Sequence, residues 1–296
     1  MDMQDNGFVI ALGMFDGVHR GHQALLQRTA ALARKLGGRP MAFCFLNHPA
    51  EIFGREVRYL STAEQRRDWM LALGMERVEM IPFTRDFAGL SPEAFLAYLQ
   101  ERFPVKGLVA GFNYTFGRAG AGTGDTLRQL GQAVGIAVDI LEPVLLDGSP
   151  VSSSRIREAL LAGRLEEAEQ MLTRPYTLRG AVVANRHIGR TIGFPTANME
   201  YGRYLLPPDG VYAARARAGE ESYAAVTNIG CNPTVEGKKR TVETHLLGER
   251  VELYGRVLEV ELLSRIREER TFSSLEALKE QIARDVAQAA AKQKSF

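Results

Sequence analysis

Two histidines, His19 and His22, stand in a segment punctuated by glycine: Gly13-Met14-Phe15-Asp16-Gly17-Val18-His19-Arg20-Gly21-His22. A short apolar run, Phe8 to Leu12, leads into it, and Leu25, Thr29, Leu32 and Leu36 follow at helical spacing. The glycines and histidines therefore sit where a strand turns into a helix. Backbone N–H groups and the helix dipole make such a place a ready anion site, and the expected occupant is a nucleoside triphosphate. On a helix the two histidines would share a face and could ligate zinc, but no third ligand lies nearby in sequence. The Gly-x-Gly-x-x-Gly spacing of dinucleotide folds is absent, as is the lysine of a Walker A loop.

Four further stretches carry groups capable of chemistry. Ala110-Gly111-Phe112-Asn113-Tyr114-Thr115-Phe116-Gly117-Arg118 runs into Ala119-Gly120-Ala121-Gly122-Thr123-Gly124, small residues that let a backbone approach a ligand. Val151-Ser152-Ser153-Ser154-Arg155-Ile156-Arg157 opens a helix whose serines and terminal amides suit phosphate, with Arg157 one turn in. Gly189-Arg190-Thr191-Ile192-Gly193-Phe194-Pro195-Thr196-Ala197-Asn198 offers a tight turn. After it, Thr196 and Asn198 share one face of an extended chain as hard ligands suited to Mg²⁺ bridging phosphates. In Val242-Glu243-Thr244-His245-Leu246 the residues Glu243 and His245 share a strand face, and a carboxylate facing a barrel interior is a candidate general base. Each stretch also has a structural reading: a flexible loop, a helix cap, a turn whose polar groups satisfy one another, a surface ion pair.

The elements that must position these groups follow two patterns. Strands are expected at Phe8–Leu12, Met41–Leu46, Val78–Ile81, Lys106–Gly111 and Ala137–Val144, alternating with helices that begin near Ser61-Thr62, Ser91-Pro92 and Asp125. That alternation implies a Rossmann-like parallel sheet with helices on both faces, with ligands outside the carboxyl ends of the strands. A helix at Leu165–Leu172 ends at Arg174-Pro175-Tyr176, where the domain boundary is placed, giving domains of 1–175 and 176–296. Beyond it come short strands: Thr177–Ala184, Gly210–Ala218, Tyr223–Asn228, Thr241–Leu247 and Arg256–Leu263. These read as an antiparallel barrel or sandwich. A final helix starts near Leu275, with Ser273 and Glu276 as a possible capping box and an apolar stripe of Leu275, Leu278, Ile282 and Val286.

Composition narrows the class of partner. The 296 residues carry 37 Lys+Arg against 35 Asp+Glu. Residues 1–175 hold 19 against 20, and 176–296 hold 18 against 15, so neither half presents the basic face of a nucleic-acid binder. The two cysteines, Cys44 and Cys231, fall in different expected domains, which fits a reducing cytoplasm rather than a disulfide framework. The opening MDMQDNG lacks a basic n-region and no run of about 18 apolar residues occurs, so neither a leader nor a membrane span is expected.

Several motifs in order carry a resemblance. Gly13 to His22 resembles the HxGH signature of nucleotidyltransferases. Its extended form, with Phe-Asp-Gly-Val before the first histidine and Gln23 after the second, is similar to the adenylyltransferase half of bacterial bifunctional riboflavin kinase/FAD synthetases. Asn113-Tyr114-Thr115-Phe116-Gly117 resembles that family's second motif, and Ser152-Ser153-Ser154-Arg155-Ile156-Arg157 its Ser-Ser-Thr-x-Ile-Arg motif, with Ser154 keeping the hydroxyl. Gly193-Phe194-Pro195-Thr196-Ala197-Asn198 looks like the riboflavin kinase signature. Asn228 to Thr234, Glu243-Thr244-His245, Leu253-Tyr254-Gly255, Ile266-Arg267-Glu268-Glu269 and Phe272 follow in the family's order. One loop departs: Cys44-Phe45-Leu46-Asn47-His48-Pro49 keeps His-Pro but has Leu46 at the usual acidic position, which bears on flavin contact. A second histidine motif, His187-Ile188-Gly189-Arg190, resembles the HIGH of class I tRNA synthetases but lies in the antiparallel half, with no parallel sheet around it.

The resemblance implies two ATP-dependent reactions, riboflavin to FMN and then FMN to FAD with release of pyrophosphate. It implies a C-terminal Greek-key-type barrel. It makes Glu243 the base for the 5′-hydroxyl of riboflavin and Thr196 and Asn198 the holders of Mg·ATP, with Gly189, Gly193, Phe194 and Pro195 shaping that site. It gives ATP phosphates to His19 and His22, departing pyrophosphate to Ser153, Ser154 and Arg157, and nucleotide and flavin to Gly13, Phe15, Asp16, Gly17, Asn113 and Phe116–Arg118. Two rivals stay open: another adenylyl- or cytidylyltransferase fused to a binding barrel, and a non-enzymatic flavin-binding protein. Pro195-Thr196-Ala197-Asn198 with Glu243 weighs against the first, and the full set of candidate side chains against the second.

Overall fold

The computed structural model describes residues 6–183, 194–234, 237–248 and 251–293. The chain divides into two compact units, 1–58 with 62–153, and 59–61 with 154–296.

The first unit is built on a parallel sheet of β1 (Phe8–Leu12), β2 (Arg39–Phe45), β3 (Arg77–Ile81), β4 (Val105–Gly111) and β5 (Ala137–Leu141), in the order β3-β2-β1-β4-β5. All five residues of β1 are buried, as a central strand covered on both faces requires. Alternation divides them. Phe8, Ile10 and Leu12 pack with Phe95, Leu96, Leu99 and Leu127, whereas Val9 and Ala11 pack with Leu25, Leu26, Ala33 and Met70.

Those two layers come from α4 (Pro92–Arg102) and α5 (Gly124–Ala133) on one face, and from α1 (Arg20–Leu36) and α2 (Ala63–Ala72) on the other; a short α3 (Arg85–Ala88) precedes α4. Local chemistry sets their ends. Gly37 adopts φ +58° and closes α1. Thr62 and Gln65 form a reciprocal capping box on α2, and Ser91 caps α4 ahead of Pro92. The strand expected to reach Val144 stops at Leu141, before Glu142-Pro143. A two-residue ribbon follows, β6 (Leu145–Leu146) and β7 (Ser149–Pro150), turned by Asp147 and Gly148, both at positive φ as a type I′ turn demands.

The second unit is a closed barrel of β8 (Tyr176–Val183), β9 (Ala197–Met199), β10 (Gly210–Ala218), β11 (Glu221–Thr234), β12 (Gly237–Leu246) and β13 (Val257–Glu268), in the order β10-β11-β12-β9-β8-β13. Neighbouring strands are antiparallel. Tyr212, Ala214, Ala216, Thr227, Thr244, Leu258 and Val260, all fully buried, fill its interior. Helix α6 (Ser153–Leu161) leads to α7 (Leu165–Leu172), which packs on β8 and β13. Tyr59 pairs with Tyr204 and so joins this unit.

The terminal helix Leu275–Gln293 lies against β10, β11 and β13. Its cap is Ser274, whose Oγ accepts from Ala277 N, one residue later than the expected Ser273. Leu275, expected in the packed stripe, is 47% exposed. The docked face includes Val286 of the expected stripe together with the buried Gln281, Asp285 and Ala289, and the Asp285 carboxylate accepts three bonds from the Arg267 fork at 2.8–3.1 Å. Among the described residues no helix is long and apolar enough to cross a membrane.

Candidate active sites

In the first unit the glycine–histidine segment forms the turn between β1 and α1. Three residues at positive φ shape it. Phe15 sits at φ +55°, Gly17 at +79° and Val18 at +38°, so two non-glycine residues occupy the left-handed region, a conformation that surrounding structure must hold. The Phe15 ring is fully buried in the core and meets His22 edge-on at 5.2 Å. Phe15 therefore acts as an anchor behind His22. The rings of His19 and His22 stack at 3.6 Å. His19 is the N-cap of α1, its Nδ1 accepting from His22 N at 3.4 Å, which leaves Nε2 as its proton-bearing nitrogen. Gly21 lets the His19 ring lie close, since a Cβ there would fall 3.2 Å from Cε1.

The third motif meets the first directly: Ser153 Oγ donates to the carbonyl of Asp16 at 2.9 Å. Asp16 itself is buried. Ser154, exposed, and Arg157, half-buried, follow in the first turns of α6 and belong to the second unit.

The glycine-rich loop after β4 is pinned from inside. Phe116 is buried in the core, packs on Phe95 and Tyr114, and exchanges two backbone bonds with Gly122. A Cβ on Gly122 would lie 2.7 Å from that ring. Gly117, at φ +73°, brings the loop within reach of Pro92. Phe116 can thus offer a ligand only the backbone it anchors, while Asn113 and Arg118 stand exposed beside it.

Two residues outside the expected set organise the same edge. Asn47 pairs with the backbone of Phe83, donating through Nδ2 to its carbonyl and accepting its N–H at Oδ1. Arg66, on α2, is 1% exposed and bonds the carbonyls of Met14, Phe45 and Leu46. His48 caps the short turn that follows, its Nδ1 accepting from Ala50 N.

In the second unit Glu243 is flanked by Asn198 of β9 and Asn228 of β11, each directly opposite it. Opposed residues share a face, so the three form a row of oxygen-bearing side chains. The row lies outside the barrel. Thr244, whose hydroxyl meets that of Thr227 at 3.0 Å, points inward with Val242 and Leu246, and alternation turns Glu243 and His245 outward, half-buried. Of the two orientations the sequence left open for Glu243, the strand alternation gives the outward one. Thr241 Oγ1 lies 3.5 Å from the Glu243 carboxylate. His245 Nδ1 is 2.8 Å from the carbonyl of Pro195, which only accepts, so Nδ1 carries the proton. Its ring also meets Phe194 edge-on at 5.5 Å. His245 therefore holds Phe194-Pro195, which immediately precedes the half-buried Thr196. Gly189 and Gly193, with the His187–Arg190 motif, lie outside the described residues. Asn228 was legible only as part of the Asn228–Thr234 run; the strand pairing singles it out.

A parallel α/β unit with stacked histidines at a helix N-terminus, joined to a barrel bearing an amide–carboxylate row, defines a two-part nucleotide-dependent transferase. Residues 1–155 match the FAD synthetase family model and residues 172–293 the riboflavin kinase model. The chain is 37% identical over 283 residues to the bifunctional riboflavin kinase/FMN adenylyltransferase of Escherichia coli K12, covering 94% of this chain and 90% of that protein. It is 36% identical over 285 residues to the enzyme of the same description from Bacillus subtilis, with the same coverage. A solved structure described as a macrolide-efflux protein from Streptococcus pneumoniae superposes with a TM-score of 0.85 at 31% identity, covering 96% of this chain and 94% of that one.

The chain belongs to the bifunctional riboflavin kinase/FMN adenylyltransferase family. It phosphorylates riboflavin to FMN and transfers an adenylyl group to FMN. Enzymes of these families use ATP with a divalent metal.

Proposed function

We propose that the two reactions are divided between residues 176–296, which phosphorylate riboflavin, and residues 1–175, which adenylylate FMN. The observation that carries the kinase assignment is the row Asn198–Glu243–Asn228 beside Thr196. In this reading Glu243 takes the proton of the ribityl 5′-hydroxyl, the freed oxygen attacks the γ-phosphorus of ATP, and ADP departs. The outward face of the barrel suits a base that must reach a substrate arriving from solvent.

The donors near Glu243 are amide, hydroxyl and carboxylate oxygens, a hard set that fits Mg²⁺ already carried by phosphates. Thr196 and Asn198 would hold that ion, which supplies neutralisation of the phosphate charge. Gly189, Gly193, Phe194 and Pro195 are assigned to the binding of ATP and riboflavin.

For adenylyl transfer, the FMN phosphate attacks the α-phosphorus of a second ATP and pyrophosphate leaves. The nucleophile is already an anion, so orientation and charge stabilisation dominate. His19, with its proton on Nε2, and His22 donate to phosphate oxygens. Gly13, Phe15, Asp16 and Gly17 shape the turn that receives them. Ser153, Ser154 and Arg157 hold the departing pyrophosphate, while Asn113, Phe116, Gly117 and Arg118 position nucleotide and flavin. Riboflavin, FMN, FAD and ATP, with Mg²⁺, are then the ligands of the two sites, with no nucleic acid or membrane. Free Cys44 and Cys231 accord with a cytoplasmic enzyme.

The test uses the full chain with riboflavin or FMN, Mg·ATP and chromatography of the flavins. Glu243→Ala makes no FMN yet still converts supplied FMN to FAD, whereas His22→Ala accumulates FMN. Loss of both activities in Glu243→Ala, or unchanged FAD output from His22→Ala, overturns the assignment.

A further inference from the structure

Arg66 is a cation buried among carbonyls. Its Nη1 donates to Met14 O and Phe45 O, both at 2.9 Å, and its Nη2 to Leu46 O at 3.0 Å. Its Nε is buried with no hydrogen-bond partner among the described residues, and no carboxylate there forms an ion pair with it. Cys44, which feels its field, supplies no counter-charge: burial pushes that thiol up to about 12 and keeps it neutral. A buried charge answered only by carbonyl dipoles is costly, so a second negative charge at the site would be favoured.

The location gives this a direction. Met14, two residues past β1, and Phe45–Leu46, the last residue of β2 and the next, lie at the carboxyl ends of those strands, the ligand-binding edge of a parallel sheet. A trans peptide is planar, with its C=O and N–H on opposite sides. Turning Met14 C=O onto Arg66 therefore turns Phe15 N–H away from it. Phe15 at φ +55° lies in the left-handed region and Asp16, the next residue, does not, a change of hand of the kind that sets successive backbone N–H groups around an anion-binding concavity.

We infer that Arg66 is the positioning residue of the adenylyl-transfer site, holding the Met14–Phe15 peptide in its strained orientation and lending the site a positive charge for the polyphosphate of ATP. This rests on placing that reaction at Gly13–His22. It adds to the candidate groups a residue from α2 that approaches the loop from behind, and it couples the β1 loop to the β2 loop that carries Leu46.

The experiment compares Arg66→Met and Arg66→Lys in the full chain. Riboflavin phosphorylation serves as the internal control, and emission of Trp69, the single tryptophan, on the same helix, reports folding. The readouts are kcat for FMN adenylylation and the inhibition constant of inorganic pyrophosphate, a flavin-free anion probe. Arg66→Met is expected to raise that constant about tenfold and lower kcat, with phosphorylation unchanged. Arg66→Lys keeps the charge but not the planar fork, so the constant stays within about threefold while kcat falls about tenfold. A wild-type pyrophosphate constant in a folded Arg66→Met overturns the inference. If Arg66→Met does not fold, Arg66→Lys decides: a wild-type kcat, or a constant raised more than about tenfold, overturns it. Unchanged FAD output from His22→Ala would instead remove the site placement beneath it.

Discussion

Gly21→Ala separates helix stability from catalysis within one residue. The added Cβ falls 3.2 Å from His19 Cε1 and 3.3 Å from Nδ1, so the imidazole must yield by a few tenths of an ångström. Alanine in place of glycine favours the first turn of α1 by roughly 0.5 kcal/mol. The His19 Nδ1 contact with His22 N is already 3.4 Å, and a small retreat breaks it, costing about 0.5 kcal/mol of capping. The two effects offset, so the melting midpoint should move by no more than about 2 °C. Catalysis has no such compensation. A displacement of about 1 Å at a reacting centre costs on the order of 100-fold, so a few tenths should slow adenylyl transfer about fivefold. The assay is FAD formation from FMN and Mg·ATP, with riboflavin phosphorylation followed in the same preparation and thermal unfolding in parallel. Wild-type FAD formation would refute the argument that the placement of His19 matters. An equal loss of both activities with a large fall in midpoint would refute the claim that the effect is local.

Two other predictions concern the second unit and the metal. Asp285→Ala leaves Arg267, only 18% exposed at its side chain, without its forked partner, and should destabilise the unit by about 3 kcal/mol, roughly 10 °C in midpoint; the double variant Asp285→Leu/Arg267→Met should recover most of that in thermal unfolding. Chelation of divalent cations should stop both FMN and FAD formation, with restoration by Mg²⁺ read from the flavin products; continued FMN formation without metal would remove the role given to Thr196 and Asn198.

Much of the first unit is visible in the chain because β1 is a continuous apolar run and the helices carry their own caps, Thr62, Ser91 and Gly37 among them. The histidine turn is legible for the same local reason. Arg66 is not: within Ala63-Glu64-Gln65-Arg66-Arg67-Asp68 it looks like a solvated helix charge, and only folding brings it onto carbonyls from two loops. Alternation places Glu243 and His245 together but does not say which face is inside; the polar Thr244 points inward because Thr227 answers it. β9 has three residues, too few to carry a periodic signal, yet it sets Asn198 beside Glu243. The terminal helix misleads in the opposite way. Its packed face includes Asp285 and Gln281, which Arg267 and Arg270, from outside the helix, help make suitable for burial.

The central claim is two separate sites working in sequence, and mixing two defective variants tests it most directly. Glu243→Ala and His22→Ala are each incubated with riboflavin and Mg·ATP, alone and together, and the flavins are separated by chromatography. Neither alone should yield FAD, and the mixture should, because FMN released by His22→Ala feeds the intact adenylyltransferase of Glu243→Ala. A mixture that accumulates FMN and makes no FAD, while Glu243→Ala fails on supplied FMN, would contradict the account.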